Sequence, residues 1–428
     1  MEKKFSLISL GCARTLVDSE QMVQSMQSVG FTMVPEGTKE EVTVLNTCSF
    51  IQAAIEETEH NIDLLIERKQ QQLIETICVV GCYPSRFKEK ELQEKYPEVD
   101  LWSTTKDEST LHQRLAELVF KRRYTPVQKK RYTKLSPSHY SYLKISEGCD
   151  NWCTFCTIPK IRGKHTSKTI DEIRQDAKIQ IGMGAKELIM IAEDTTAWGE
   201  DIYGEPCLER LIEGLADLDV WIRLMYIFPS RVTDRLIQAI ATTKNVIPYI
   251  DIPIQHVNSD LLASMNRRHD KAFLEKMITD MRTAIPDLAI RTTFICGFPG
   301  ETEEHVNEIC DFIDTHKIDH IGCFTYSKER ETRSARYDQQ VPAEIAKQRV
   351  DKIMAHHFKW RGEQQLQRMG ETINVIYEGN RLCRSVYEAP DVDSVIVLES
   401  DPNIASGTKI NVKLTGVSGI DFLAKIVS

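Results

Sequence analysis

Cys149, Cys153 and Cys156 put three thiols within eight residues of this chain of 428, in the run Glu147-Gly-Cys-Asp-Asn-Trp-Cys-Thr-Phe-Cys156. The run follows an apolar stretch that reads as a β-strand. Three thiols at that spacing can wrap one metal centre, and no fourth cysteine is near. A structural zinc site asks for four protein ligands, for which His165 is the best local candidate. A 4Fe–4S cluster held by three thiolates instead leaves one iron open to a small molecule. Trp152 and Phe155 would cover such a cluster, and burial helps to set its potential.

A second set is spread along the first part of the chain. Cys12, Cys48 and Cys82 each follow directly on a short apolar run, in Leu-Gly-Cys, Asn-Thr-Cys and Val-Gly-Cys, 36 and 34 residues apart. That spacing is one strand–helix unit. In an open parallel sheet, ligands bind outside the carboxyl ends of the strands, so three thiols at three such ends can converge on one point. Gly11 and Gly81 allow the tight turns this needs. The competing reading is three buried structural cysteines. Cys78, Cys207, Cys296, Cys310, Cys323 and Cys383 lack such placement and read as structural.

The elements that must position these thiols fall into three segments. Residues 1–120 alternate strands (Phe5–Leu10, Val42–Leu45, Thr76–Val80) with helices (Ser19–Val29, Ile51–Gln72, Lys88–Glu98). This pattern predicts an α/β domain with a doubly wound parallel sheet. Residues 121–137 form a linker with basic residues Lys121, Arg122, Arg123, Lys129, Lys130, Arg131 and Lys134 and no acidic one. It reads as a solvated connection or as an electropositive strip that helps to seat a ribosomal or RNA partner. Residues 138–365 hold six strand–helix units, with strands at Tyr142–Ile145, Glu187–Ala192, Ile222–Ile227, Tyr249–Ile252, Arg291–Ile295 and His320–Phe324. Six units predict a full or partial β/α barrel, closed by a helical stretch from Pro342 to Met369. Residues 366–428 carry only short β-type runs and predict a small β-barrel.

Composition agrees with a globular chain: 41% hydrophobic, 27% charged, net charge −9. Disorder and collagen-like repeats are excluded, and no window approaches the length of a membrane span. The short apolar run after Met1 reads as a strand and not as a signal core. A cytoplasmic protein without membrane contact is expected. Twelve cysteines over this length do not make a secreted disulfide scaffold, so metal or thiol chemistry is the better expectation.

The Cys-x-x-x-Cys-x-x-Cys spacing after a strand of a β/α barrel resembles the radical S-adenosylmethionine superfamily. The resemblance implies that the open iron binds the amino and carboxyl groups of S-adenosylmethionine. Electron transfer then breaks the molecule into methionine and a 5′-deoxyadenosyl radical. It also implies pocket residues. Phe155 resembles the aromatic that touches adenine, and Glu193, in Ala192-Glu-Asp194, falls where the family has a turn for the methionine amine. Thr293-Phe-Ile295-Cys-Gly297 resembles an adenine motif whose first glycine is here Thr293, and Gln255 is a further pocket candidate. A packing or turn role competes for each.

Taken with the cysteine-bearing first domain and the terminal small β-domain, the whole chain resembles the methylthiotransferases. That resemblance implies a second 4Fe–4S cluster on Cys12, Cys48 and Cys82, and a third domain of the TRAM type. It also implies two molecules of S-adenosylmethionine, one methylating sulfur at the second cluster and one supplying the radical. A reduced flavodoxin or ferredoxin is the kind of electron donor implied.

Two branches of that family are open: one modifies a tRNA adenosine, the other the β-carbon of an aspartate of small-subunit ribosomal protein S-twelve, free or on the ribosome. Leu7-Ile-Ser-Leu-Gly-Cys-Ala-Arg-Thr-Leu-Val-Asp-Ser-Glu20 and Arg384-Ser-Val-Tyr-Glu-Ala-Pro-Asp-Val-Asp393 resemble the protein-modifying branch. Ala13-Arg14 and Glu193 depart from its pattern. From Gly362 onward, six basic residues face nine acidic ones. An acidic face suits a basic ribosomal protein better than tRNA phosphates. A non-enzymatic iron–sulfur redox protein is the remaining alternative, and no residue is singled out as a catalytic acid or base.

Overall fold

The computed structural model describes residues 3–121 and 132–427, which divide into two compact units. The first comprises residues up to Pro137 together with Glu147–Asp150 and Cys156–Lys164; the second is the remainder. Among the described residues no helix is long and apolar enough to cross a membrane.

In the first unit the elements run β1 (Lys3–Ser9), α1 (Ala13–Ser28), β2 (Phe31–Met33), β3 (Val42–Thr47), α2 (Gln52–Gln70), β4 (Thr76–Gly81), α3 (Cys82–Arg86), α4 (Glu89–Lys95), β5 (Leu101–Thr104) and α5 (Glu108–Phe120). The five strands are all parallel, in the order β2-β1-β3-β4-β5. Period-2 alternation sends successive side chains to opposite faces. Val44, Cys78 and Val80 pack with Met22, Val23 and Met26 of α1 and Leu111 and Leu115 of α5. Leu45, Ile77 and Val79 pack on the other face with Ile55, Ile62 and Leu65 of α2. Helices on both faces are what double winding means, as expected from the sequence. The order reverses between β1 and β3, which makes the crevice at their carboxyl ends the topological switch point.

The first helix begins six residues earlier than its sequence pattern implied. Cys12 takes the N-cap position, and Ala13–Asp18 are already helical. After α5, the basic residues Arg122, Arg123, Lys129, Lys130 and Arg131 lie outside the described residues. Where the described chain resumes it is tied down: the Leu135 and Ser136 amides donate to Glu20 Oε1 at 2.8 and 3.2 Å.

The second unit begins with β6 (Tyr140–Lys144). Two-residue strands β7 (Ser146–Glu147) and β8 (Thr166–Ser167) flank α6 (Ile158–Ile161), of which Glu147 and α6 belong to the first unit. There follow α7 (Ile170–Gly182), β9 (Glu187–Ile191), α8 (Glu200–Tyr203), α9 (Leu208–Gly214), β10 (Trp221–Leu224), α10 (Asp234–Thr242), β11 (Val246–Asp251), α11 (Ser259–Ser264) and α12 (Lys271–Ala284). The unit continues with β12 (Ala289–Cys296), α13 (Glu303–His316), β13 (His320–Thr325) and the long α14 (Ala343–Gln367). All six predicted strands are present, in an open parallel sheet of sequential order β6-β9-β10-β11-β12-β13. Leu143, Leu188, Met190, Ile222, Leu224, Ile250 and Ile290 face the helices in one continuous core. The alternate residues, among them Tyr142, Arg223, Tyr249, Arg291 and Thr293, therefore line the opposite face. One helix-covered face and one open inner face make this a partial barrel.

Strands β14 (Thr372–Gly379), β15 (Leu382–Arg384), β16 (Ile396–Leu398), β17 (Lys409–Ser418) and β18 (Asp421–Ile426) close into the expected small barrel. Its acidic excess is not a surface property. Glu378 pairs with His139 at 3.1 Å and with Arg384 at 3.0 Å, the buried Glu388 accepts from Ser385, and the Asp393 side chain is 1% exposed. Five acidic and four basic residues from Gly362 onward remain exposed, so the acidic face expected from the count is nearly neutral.

The segment 384–393 sets Arg384, Asp391 and Asp393 against the inner face of the sheet. Arg384 and Arg223 share the fully buried Glu187, at 2.6 and 2.5 Å. Asp391 accepts from Tyr140 and Tyr142, and Asp393 from Tyr249, with Arg291 and His320 within 3.3 Å. Charges taken from water this completely persist only when paired.

Candidate active site

Cys12, Cys48 and Cys82 stand at the carboxyl ends of β1, β3 and β4, two of them flanking the switch point. Gly11, at φ +101°, lets the strand end come close: a Cβ there would lie 2.9 Å from Cys48 Cβ and 3.4 Å from Cys48 Sγ. Gly81, at φ +95°, makes the same kind of approach to Asn46 and Thr47. The three thiols feel one another, since Cys12 raises the pKa of Cys48 and of Cys82, and Cys48 raises that of Cys82. Cys82 is pushed up to about 12 by burial, against the pull of Arg162. Burial likewise raises Cys48.

Cys12 behaves differently. The residue is exposed but its thiol is crowded, and the lost hydration pushes its pKa up. The Arg14 charge, the Arg14 and Thr15 amides and the Thr15 hydroxyl outweigh that, leaving the thiol below its ordinary value. This is the expected effect of a helix N-terminus on a thiol at the cap.

Arg162 ties this region together. It is 7% exposed, reaches Cys82 Sγ at 3.5 Å, and pairs with Asp18 at 3.1 Å and Glu147 at 2.5 Å. Asp18, Ser19 and Glu20, from the Leu-Val-Asp-Ser-Glu run, all act structurally. Asp18 holds Arg162, Ser19 bonds to Ser9 and Asn46, and Glu20 caps residues 135 and 136.

In the second unit, the middle of the Cys149–Cys156 run is clamped from several elements. Asn151 donates to Asp194 at 2.6 Å and accepts from Arg231 at 2.5 Å, while Arg231 also reaches Asp194 at 2.7 Å. Thr154 donates its amide to Met265 O and its hydroxyl to Ser264 O, and its carbonyl accepts from Ser334. Arg267 reaches Cys153 Sγ at 3.5 Å. Trp152, in a left-handed conformation at φ +51°, is 52% exposed, while Phe155 packs with Ile295 against Leu261, Met265 and Phe298. His165 turns its Nε2 to Ser167 at 3.1 Å, with Asp201 at 3.8 Å. Among the described residues no three His, Cys, Asp or Glu side chains are arranged to share one metal ion.

Gln255, Thr293 and Ile295 are brought together by the backbone. Gln255, at φ +73°, donates its amide to Thr293 O at 2.8 Å and accepts from Ile295 N at 2.9 Å. Four of the five pocket candidates thus gather at the carboxyl ends of β11 and β12. Glu193 stands after β9, two strands away in the sheet order. The rest of the Gly297–Thr302 run is structural: a Cβ on Gly297 would strike Ala346 of α14, and Glu301 accepts from the Gly297 amide and Arg349. His256 accepts two backbone N–H groups at Nδ1 and is held neutral by burial, its pKa pushed down to about 3.

Three family models match the chain: Uncharacterized protein family UPF0004 over residues 4–104, Radical SAM superfamily over 143–313, and TRAM domain over 369–427. A "Ribosomal protein uS12 methylthiotransferase RimO" of Dictyoglomus thermophilum is 37% identical over 445 residues, covering 99% of this chain and 100% of that protein. The chain belongs to the RimO family of radical S-adenosylmethionine methylthiotransferases. Proteins of the same name from Carboxydothermus hydrogenoformans and Aquifex aeolicus are 36% and 34% identical, covering 99% of this chain and 100% and 97% of theirs. The radical S-adenosylmethionine methyltransferase TsrM of Kitasatospora setae, solved with cobalamin and a 4Fe–4S cluster bound, shares the fold. It aligns with a TM-score of 0.56 at 10% identity over 76% of this chain and 72% of that one.

For a methylthiotransferase of this kind, the sequence named the thiols but not what holds them. Asp194, Arg231, Arg162 and Arg267 carry no local signal, because each acts through a partner far along the chain. Only Asn151 and Thr154 could have been suspected, from their place between the cysteines.

Proposed function

We propose that this methylthiotransferase transfers a methylthio group to the β-carbon of an aspartate of ribosomal protein uS12. In this reading it uses two S-adenosylmethionine molecules and two 4Fe–4S clusters by a radical route. The observation that carries the reading is the pair of cysteine triads. One stands at strand ends around a switch point, the other in the run after β6, in a chain similar throughout to proteins named for that reaction. The donor sets fit the groups: each is all thiol, each has three members, and a 4Fe–4S cluster offers a different iron to each thiolate.

Cys12, Cys48 and Cys82 would hold one cluster, and Cys149, Cys153 and Cys156 the other. When bound, the two clusters supply sulfur at one site and a radical-forming electron at the other. The chain's own part is placement. Arg162 fixes Cys82 against Asp18 and Glu147, and the Asn151–Asp194–Arg231 clamp and the Thr154 bonds fix the run that carries Cys153. Phe155 and Ile295 form an apolar wall that keeps water from S-adenosylmethionine, with Gln255, Thr293 and Glu193 offered as its polar contacts. The electron comes from a reduced flavodoxin or ferredoxin, and the work is done in the cytoplasm on uS12, free or in the ribosome.

Mass spectrometry of ribosomal proteins and tRNA from cells with and without the gene tests this. The expected result is loss of one methylthio group from a uS12 aspartate; its loss from tRNA adenosine instead would overturn the substrate. Iron analysis should give about eight irons per chain for two such clusters, and about four would remove the two-cluster reading.

A further inference from the structure

Each cysteine triad has one buried guanidinium directed at one sulfur, and the two guanidiniums differ in what offsets their charge. Arg162 reaches Cys82 but is also paired with Asp18 and Glu147, so two carboxylates answer one cation. Arg267 donates from Nη1 to Cys153 Sγ at 3.5 Å and from Nη2 to the Pro253 carbonyl at 2.6 Å. Its guanidinium carbon lies 4.0 Å from the centroid of the Phe228 ring. The residue is 5% exposed, and among the described residues no carboxylate forms an ion pair with it. A cation withdrawn from water, and not neutralised by a neighbour, acts on an adjacent thiolate at low effective dielectric.

From this contrast we infer that Arg267 is the positioning residue that sets the reduction potential of the cluster on Cys149, Cys153 and Cys156, whereas Arg162 serves as a structural tie. The inference rests on reading those cysteines as cluster ligands. Reduction brings one electron and no proton, so the cluster and its thiolates gain one negative charge. The electron leaves a low-potential one-electron donor, a reduced flavodoxin or ferredoxin or, in vitro, dithionite. A fixed cation that donates to one thiolate favours the more negative, reduced form and raises the potential. The Pro253 carbonyl and the Phe228 face hold the guanidinium in place, so no rearrangement is needed when the charge changes. Hydrogen bonds with an ionised partner are about twice as strong as neutral ones, which makes an effect near tenfold reasonable.

The test uses the full chain carrying Cys12→Ala, Cys48→Ala and Cys82→Ala, so that only the second triad can give a signal. It is reconstituted with iron and sulfide without oxygen and titrated with dithionite while the reduced cluster is followed by electron paramagnetic resonance. If this parent chain shows no cluster signal, the ligand assignment itself fails, and that is known before any arginine is changed. With the signal present, Arg267→Gln should lower the reduction equilibrium about tenfold, about 59 mV for one electron, at unchanged iron content. Arg267→Lys, which keeps the charge but lacks the planar fork that spans sulfur and carbonyl, should lower it at least threefold. It serves as the deciding variant if the glutamine chain does not fold. A midpoint equal to the parent's, in whichever of these variants retains its iron, overturns the inference.

Discussion

On the two-cluster reading proposed above, replacing Gly11 by alanine should empty the first cysteine triad while leaving the second intact. Two costs can be worked from the structure. The backbone sits at φ +101°, where an L-residue costs about 1–2 kcal/mol more than glycine. The new Cβ would also lie 2.9 Å from Cys48 Cβ and 3.0 Å from Thr15 Oγ1, whereas unstrained carbon contacts fall at about 3.5–4.0 Å. Cys48 must therefore retreat by roughly 0.6–1 Å, an overpacking of the kind that costs about 1–3 kcal/mol. The sum, about 2–5 kcal/mol, falls where Cys48 meets Cys12, so relief comes by separating the thiols. If all of it falls on cluster retention, holding weakens at least about 30-fold. The assay is iron and sulfide content after anaerobic reconstitution and challenge with a chelator, with Gly37→Ala as the control. Gly37 also has a positive φ, +79°, but has no atom within 4 Å of its would-be Cβ. Gly11→Ala should lose about half the iron and Gly37→Ala none. Equal iron and equal chelator resistance in Gly11→Ala and the unaltered chain would refute the close-approach argument.

Two further outcomes are expected. Glu187→Gln removes the carboxylate charge that Arg223 and Arg384 share, leaving Arg223 only neutral acceptors, the new amide oxygen and the Ser385 and Val386 carbonyls, beside the Tyr249 ring. It should cost about 3–5 kcal/mol in urea unfolding, and a loss under about 1 kcal/mol would mean that water reaches the pair. Stability should also fall with acid before the carboxylates titrate. His256 and His357 are buried and neutral, with pKa values pushed down to about 3 and about 4. The unfolded chain takes up their protons near pH 6.5 and the folded chain does not. Their contribution is therefore complete above about pH 6.5 and is lost as pH falls toward 4, by up to about 1.4 kcal/mol per pH unit for each histidine. Unfolding free energies that stay flat between pH 7 and 5 would show that these rings gain protons in the folded state.

What was legible in the sequence had a local cause. Apolar runs such as Val42–Leu45 and Glu187–Ala192 became strands because they are buried on both faces, and the cysteines that follow three such runs stand at the carboxyl ends of β1, β3 and β4. The late start assigned to α1 has a local cause too: Cys12 at the cap gives none of the usual Ser, Thr or Asp signal. Short elements such as β2 and β15 were missed because three residues are too few to show a period. The acidic face failed for a different reason. Glu378, Glu388 and Asp393 read as surface charge; the distant partners His139 and Tyr249 show that Glu378 and Asp393 are interior, and Glu388 is buried against its near neighbour Ser385.

The segment 384–393 also bears on how the chain can be taken apart. Through the Arg384, Asp391 and Asp393 side chains and the Ser385 and Val386 carbonyls it shares charges and hydrogen bonds with residues of β6, β9, β10, β11, β12 and β13. The small barrel is therefore not a module that can be exchanged at a linker. A chimera whose terminal barrel lacked Arg384 and Asp393 would cost Glu187 its second arginine and Arg291 its second carboxylate, leaving them only Arg223 and Asp251. A substitution in the segment 384–393 is therefore felt on the floor of the sheet, and one at Glu187, Arg223 or Arg291 is felt in the barrel.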